Sequence, residues 1–230
     1  MAIFTKDTKL CDVILAEPSV IQVINRFGVF LGVGDSTIKT ISIDHDINID
    51  LFLSVLNTYM NRNYFPDKRV DSDFLPGLID YLEKTDLYYK EILLPNIERH
   101  FSFLISKSEQ NVENSNLHLL QGFFWEVREE MLHVIERDIT IWFPLIDKCI
   151  QDKNTEKMNV EDVPFPFDNH LLEEKIGDLI NFFVIHLKGD YNHNLCVAVV
   201  SALATLEKDV KQNNRIRDRI LKPLCQKLLS

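Results

Sequence analysis

Five polar residues stand on the inward-facing stripes of four long predicted helices, where the spacing favours apolar side chains. They are Asp86, Asp138, His170, Asn213 and Arg217. Carboxylate and imidazole groups that face one another across neighbouring helices are the usual ligands of a metal site. A buried polar group without a partner costs about 1–3 kcal/mol, so separate burial of all five is unfavourable. We therefore predict that they share one buried polar layer.

The composition of this predicted layer is poorly suited to a metal. Arg217 brings a permanent positive charge, and the amide of Asn213 is a weak ligand for iron or zinc. Asp138 and His170 remain as vestigial candidate ligands, and we predict no bound cofactor. A shifted ligand set would draw in additional residues: His133, Glu173, Glu174 and Asp86. The competing interpretation of these neighbouring histidines and glutamates is that they are solvated charges on helix surfaces.

Asp138 and Arg217, two residues of opposite charge in the layer and on different helices, predict an ion pair. We expect Arg217 to point inward and to bond Asp138, since a planar guanidinium can donate to both oxygens of a carboxylate. Removing one partner should cost about 3–5 kcal/mol, because the other charge is left unmatched. Arg217→Met should therefore destabilise the protein, and adding Asp138→Leu should recover much of the loss.

Four long segments must position these residues, over 74–107, 114–150, 168–188 and 193–229. Each carries an apolar stripe with alternating steps of three and four, which predicts an up-and-down four-helix bundle. The predicted stripe of the second segment is Val127, Met131, Val134, Asp138, Ile141 and Leu145. That of the third is His170, Glu173, Gly177, Ile180, Val184 and Leu187. Kinks or breaks are expected at Pro95, Pro144 and Pro223, which fall inside the segments.

A unit of short helices is predicted ahead of the bundle, over residues 1–64. The start and stop signals are Asp7, Pro18, Gly28, Asp35 or Ser36, and Asn48 or Asp50. A polar stretch from Asn61 to Asp73 predicts a linker, and 74–230 would form the bundle domain. We expect proteolysis first in that linker or in the polar loop from Lys153 to Pro164.

Composition supports an all-α chain of one large or two smaller domains. The 230 residues are 46% hydrophobic and include only 7 Gly and 8 Pro, which favours long helices over a many-turned β protein. The net charge of −10 argues against general binding of nucleic acid or anionic membranes. The four cysteines form no C-x-x-C motif, and the N-terminus has no long apolar stretch, so we expect a cytoplasmic protein with no membrane association.

Two local patterns have alternative interpretations. Basic residues lie along the fourth segment at steps of three and four. This pattern suits a solvated helix face or the binding of an acidic partner: Lys208, Lys211, Arg215, Arg219 and Lys222. The Gly32–Thr37 stretch resembles a phosphate loop but lacks its spacing, and a helix-capping turn explains it better. The chain has no hydrolase or dinucleotide motif, so the sequence gives no direct support for a hydrolase or an oxidoreductase.

Several stretches resemble the hemerythrin-like proteins of the iron–sulfur cluster repair type. VINRFGVFLGVGDSTIKTI (Val23–Ile41) is similar to their small N-terminal domain, and to a Bacteroidetes-like branch of it, but lacks the cysteine pair that follows RFG. YLEKTDLYYKEILLP (Tyr81–Pro95) and HVIERDITIWFPLI (His133–Ile146) resemble the first two bundle helices. NHLLEEKIGDLINFFVIHL (Asn169–Leu187) and LEKDVKQNNRIRDRILKPL (Leu206–Leu224) resemble the last two.

The resemblance implies a non-haem di-iron bundle whose ligand positions are mostly substituted here. Asp86 and Leu87 stand at its histidine pair, Val134 and Asp138 at its first His-x3-Glu, and Asn213 and Arg217 at its second; only His170 keeps the family residue. The first functional hypothesis is a degenerate, non-catalytic scaffold that binds a protein partner or regulates a stress response. The alternatives are an active iron-binding protein with the shifted ligands, and a regulatory module of a transcriptional regulator.

Overall fold

Helices account for nearly all of the described structure. The computed structural model describes residues 3–66, 72–108, 116–151 and 170–229, and in these ranges it contains helices, turns and one isolated antiparallel bridge between Lys9 and Thr37. The predicted all-α class is confirmed. No helix within the described ranges combines the length and apolar character that a membrane crossing requires.

Four short helices come first, and side-chain caps mark the start of the last two. Asn48 caps the fourth by accepting from the backbone N–H groups of Asp50 and Leu51, as predicted. Thr37 caps the third in place of Asp35 or Ser36, and the residue before the first is Lys9 rather than Asp7. Gly28 follows the second with φ 75°, the left-handed stop that glycine favours. The bounds are α1 Leu10–Ala16, α2 Val20–Arg26, α3 Ile38–Asp44 and α4 Ile49–Met60.

The long segments follow close to their predicted limits. The first begins with a 3₁₀ turn at Ser72–Phe74 and continues as α5 Leu75–Tyr88 and α6 Leu94–Ser108. The others are α7 Leu117–Arg137 with α8 Phe143–Gln151, α9 His170–His186, and α10 His193–Ile216 with α11 Lys222–Leu229. The loop predicted from Lys153 to Pro164 and part of the predicted linker lie outside the described residues.

A π-helical segment joins the two α-helices in three of the long segments. These segments are Tyr89–Leu93, Asp138–Trp142 and Arg217–Leu221. Each ends two residues before a proline: Pro95, Pro144 and Pro223. Proline lacks an N–H and its ring clashes with the carbonyl four residues back, so a regular α-helical turn is unfavourable there. The chain meets this constraint by widening one turn, as in the i→i−5 bonds from Leu94 to Tyr89 and from Lys222 to Arg217.

The chain divides into two compact units that alternate along the sequence. Of the described residues, the first unit contains 3–66, 72–85, 143–151 and 212–229. The second contains 86–108, 116–142 and 170–211. The short helices α1–α4 therefore belong to the same unit as α5, α8 and α11. The predicted division into 1–64 and 74–230 stays a prediction.

The core of the second unit draws on α6, α7, α9 and α10. Ile97, Phe124, Ile176 and Leu203 represent the four helices in this core, and all are fully buried. Hydrogen bonds join the helix ends beside it: the Asn192 backbone N–H donates to Ser108 Oγ at 3.2 Å, and Asn116 Nδ2 donates to the His186 carbonyl at 2.8 Å. These bonds hold the end of α6 to the start of α10, and the start of α7 to the end of α9.

Two of the predicted stripes are wrong in register. In the second long segment Ile135 is buried in place of Val134, and after the π segment Phe143 and Ile146 are buried in place of Ile141 and Leu145. In the third, α9 buries the neighbouring stripe in place of the one that begins at His170: Leu172, Ile176, Leu179 and Phe183. The predicted stripes of the first and last segments are buried at every position. This includes their polar residues Asp86, Asn213 and Arg217.

Candidate functional site

A buried chain of hydrogen bonds in the first unit links α2, α5 and α10. Arg26 Nη1 donates to Tyr81 Oη at 3.4 Å, and Tyr81 Oη donates to Asn213 Oδ1 at 3.0 Å. All three residues are buried. The Tyr81 hydroxyl thus accepts from a cation and donates to an amide, which uses both of its hydrogen-bonding capacities.

Aromatic packing fixes the central tyrosine of this chain. Phe27 stacks on the Tyr81 ring with centroids 5.0 Å apart, and Phe27 also packs edge-on against Phe52 at 4.9 Å. The guanidinium carbon of Arg26 lies 5.8 Å from the centroid of the Tyr81 ring. One turn further along α5, Thr85 Oγ1 donates to the Tyr81 carbonyl at 2.8 Å. Tyr81 is therefore held on its ring face, at its hydroxyl and at its backbone.

Arg217 brings a second buried cation into the first unit. It is 3% exposed and begins the third π segment, one turn after Asn213 on the same stripe. Its guanidinium carbon lies 5.8 Å from the centroid of the Phe143 ring, at the edge of the range for a cation–π contact. An arginine side chain has donors only, so this position can bind acceptors or anions but cannot ligate a metal.

The two aspartates of the predicted layer are buried in the second unit. Asp138 is fully buried and begins the second π segment, and Arg137 Nη2 lies 3.3 Å from its Oδ1. Asp86 is also buried. Because Asp138 and Arg217 belong to different units, their predicted pairing stays a prediction.

His170 does not belong to the buried layer, which corrects its predicted place. It is the first residue of α9, its side chain is 53% exposed, and its Nδ1 lies 3.7 Å from Glu173 Oε2. The reason is the register of α9 described above: the helix buries the stripe that begins at Leu172, and this turns His170 toward solvent. Glu173 in turn accepts from Lys211 Nζ at 3.1 Å.

The shifted ligand set is not assembled into a metal-binding group. His133 and Glu174 are exposed, whereas Asp86 and Asp138 are buried. Across the described ranges, no cluster of three or more His, Cys, Asp or Glu side chains is arranged to hold a metal ion.

Two members of the basic stripe have structural roles in the first unit. Arg215 Nη2 donates to the Tyr59 carbonyl at 3.4 Å, and Arg219 Nη1 donates to the Tyr64 carbonyl at 2.5 Å. The Arg219 guanidinium also lies over the Phe65 ring, 4.1 Å from its centroid. Burial lowers the pKa of Arg219, and the group stays a cation at neutral pH. These contacts hold the chain that leaves the end of α4.

The two buried thiols, Cys196 and Cys225, are not activated nucleophiles. Burial, with a smaller contribution from the nearby Cys149, raises the pKa of Cys225 to about 12. Burial also raises the pKa of Cys196. Both stay protonated at neutral pH, and the thiol form is a weak nucleophile.

Arg26 and Tyr81 were missed by the sequence prediction, although both are central to the buried chain. Arg26 is three residues after Val23 on the buried face of α2, and this spacing was the available signal. Tyr81 was indistinguishable from an apolar core residue, because its ring packs like one.

Comparison with known proteins identifies no relative of this chain. No protein-family model, no curated protein and no solved structure matches it significantly.

Proposed function

We propose that this protein is a degenerate hemerythrin-like four-helix bundle that works as a non-catalytic, partner-binding regulatory scaffold related to iron–sulfur cluster repair and stress responses. The common core of α6, α7, α9 and α10 supports the bundle part of this proposal. The order and spacing of the motifs in the sequence support the family part.

The observation that carries the proposal is the hydrogen bond that Asn213 accepts in the interior. The resemblance puts a metal-ligating residue at this position, and here its amide oxygen accepts a hydrogen bond from Tyr81 at 3.0 Å. Arg217, at the companion position, places a buried cation where the family has a carboxylate. A buried positive charge disfavours a nearby iron ion by Coulomb repulsion, which is strong in a low-dielectric interior. The interior polar residues therefore serve the fold, and function is left to the surface.

The experiment that tests this proposal is an iron determination on the full chain. The protein would be purified from cells under anaerobic conditions alongside a hemerythrin-like protein with a complete ligand set, which serves as the positive control. We expect far less than one iron per chain, and no change in thermal stability on adding Fe²⁺ or Zn²⁺. Two irons per chain would contradict the proposal.

A His170→Ala variant separates the scaffold from the shifted-ligand alternative. His170 is half-exposed at the start of α9 and near Glu173, so its replacement should leave the metal content unchanged and the stability within about 0.5 kcal/mol of the parent chain. A stoichiometric metal that disappears in this variant would favour the alternative instead.

A further inference from the structure

Two free cysteines of the first unit lie on neighbouring helices. Cys149 is near the end of α8, and Cys225 is in the middle of α11. The two helices pack directly against each other, with Cα atoms that approach within 8 Å. A disulfide bond joins residues whose Cα atoms are about 4.4–6.8 Å apart, so helices packed this closely can be bridged by a pair of cysteines at the contact.

The register of α8 and α11 brings these two cysteines to nearly the same level. The Arg217 guanidinium carbon lies 5.8 Å from the centroid of the Phe143 ring, which joins the start of α8 to the turn before α11. Helices that ran in opposite directions from this point would diverge, so the packing of α8 on α11 indicates that both run the same way. Cys149 is six residues beyond Phe143 and Cys225 is eight beyond Arg217. At about 1.5 Å per residue the two levels differ by about 3 Å, less than one helical turn.

Each cysteine also continues the buried stripe of its own helix. Phe143 and Ile146 are buried, and Cys149 follows at a further step of three; Leu221 is buried, and Cys225 follows at a step of four. A step of three drifts by about 60° around the helix, so Cys149 reaches the edge of the buried face and is half-buried, whereas Cys225 is 4% exposed. Cys149 also adds to the effect of burial in raising the pKa of Cys225, a Coulomb effect that requires the two groups to be close.

We propose that Cys149 and Cys225 form an oxidation site, at which a peroxide produces a disulfide bond between α8 and α11. The Cys149 thiolate attacks one peroxide oxygen and the O–O bond breaks; the thiol proton converts the leaving hydroxide to water, and Cys149 becomes a sulfenic acid. The Cys225 sulfur then attacks the Cys149 sulfur and the S–O bond breaks. The Cys225 proton leaves with this hydroxide as a second water. The two thiols lose two electrons in total, and these reduce the peroxide.

The difference in burial sets the order of the two steps. The half-buried Cys149 is accessible to a small oxidant, and Cys225 is enclosed behind it. Because burial raises the pKa of Cys225, its thiolate is scarce, and the second step should be the slow one. The sulfenic acid on Cys149 should therefore persist long enough to be trapped. The site needs neither a metal nor a protein partner, so its test does not depend on the proposed function.

Peptide mapping of the full chain after treatment with hydrogen peroxide tests this site. The chain should lose two of its four free thiols, and an unreduced digest should contain a cross-linked peptide that joins Cys149 to Cys225. Dimedone, which reacts with sulfenic acids, should label Cys149 when it is added together with the peroxide. Cys149→Ser should abolish the cross-link. Cys225→Ser should also abolish it but should leave the dimedone label on Cys149.

Cys11→Ser is the matched control, because Cys11 is also a half-buried thiol of the first unit, and this variant should form the cross-link as the parent chain does. Circular dichroism would accompany each variant; if Cys225→Ser does not fold, Cys149→Ser gives the test at the less buried position. The oxidised parent chain should keep its helical signal and melt at a higher temperature, because the bond restricts the unfolded chain. A treated chain in which Cys225 stays a free thiol, or in which Cys149 is linked to a different cysteine, would overturn the proposal. Loss of helix as the bond forms would overturn it too, since the fold would then not hold the two thiols within reach.

Discussion

At the scale of single residues, the interior of this protein contains buried arginine side chains. Arg26 and Arg217 are both buried in the first unit, and Arg26 donates to a tyrosine hydroxyl that in turn donates to Asn213. A hydrogen bond that involves a charged group is stronger than a neutral one, and chains of such bonds polarise one another. The Tyr81 hydroxyl therefore couples three helices that are far apart in sequence.

The first prediction concerns this hydroxyl. Tyr81→Phe removes the buried hydrogen bond from the tyrosine hydroxyl to the Asn213 amide oxygen and should lower the free energy of unfolding by about 1–3 kcal/mol in urea denaturation. Asn213→Leu should cost a similar amount. The double variant should lose less than the sum of the two, with a coupling of about 0.5–3 kcal/mol, because both changes remove the same bond.

Tyr191→Phe provides the matched control for the loss of one hydroxyl. Tyr191 is only partly buried, in the second unit, so its change should stay within about 0.5 kcal/mol. Strictly additive losses in the Tyr81 and Asn213 variants would show that their hydrogen bond contributes nothing specific.

Sequence periodicity could locate buried polar residues but not their partners. Asn213 and Arg217 lie on an unbroken stripe of α10 and its continuation, so their burial follows from steps of three and four alone. Their hydrogen-bond partners cannot be predicted from this spacing, because Arg26, Tyr81 and Asn213 come from three separate helices and no local sequence pattern relates them. His170 shows the opposite failure. The stripe that carries this family-like histidine was predicted to be buried, but α9 buries the neighbouring stripe, whose side chains are larger.

At the scale of elements, three prolines lie within long helical segments beyond the first turn, and all three are accommodated in the same way. Each follows a π-helical segment, and none ends its helix. The sequence predicts an irregularity at Pro95, Pro144 and Pro223 but cannot say whether the helix breaks, bends or widens. In the second long segment the widened turn adds one residue to a stripe that already runs through Ile135 in place of Val134, and the two shifts together bring Phe143 to the buried face in place of Ile141.

The second prediction tests whether the π turn removes the usual penalty for proline. Pro144 is exposed, so Pro144→Ala changes the backbone chemistry with little effect on packing. A proline inside a regular α-helix costs about 3 kcal/mol relative to alanine. Because the turn before Pro144 is already widened, we expect Pro144→Ala to change the free energy of unfolding by less than about 1 kcal/mol.

Ser201→Pro is the comparison, since Ser201 is exposed on a regular stretch of α10. This change should cost the full ~3 kcal/mol or more, measured in the same urea titrations. A gain near 3 kcal/mol for Pro144→Ala would mean that the π turn is a strained response to the proline and does not relieve it.

At the scale of the whole molecule, the two compact units are interleaved along the chain. The chain passes from one unit to the other at residues 85–86, 142–143 and 211–212 among others, close to the three π segments. The sequence predicted nearly all the helices, because each has a strong periodic pattern and clear end signals. It placed the domain division at a polar linker, but polarity records solvent exposure of a segment and not which helices pack together on either side of it.

The last prediction tests that domain division with the fragment 74–230. Removing α1–α4 exposes the Tyr81 ring, which stacks on Phe27, and leaves Arg215 and Arg219 without the carbonyl groups of Tyr59 and Tyr64. Each large buried side chain contributes about 1.5–3 kcal/mol, so several lost contacts should lower the melting temperature by more than about 10 °C. The fragment should also bind a dye for exposed apolar surface, and adding the separate peptide 1–66 should reverse part of both effects. A fragment that melts within about 2 °C of the full chain and binds no dye would instead establish 74–230 as an independent domain.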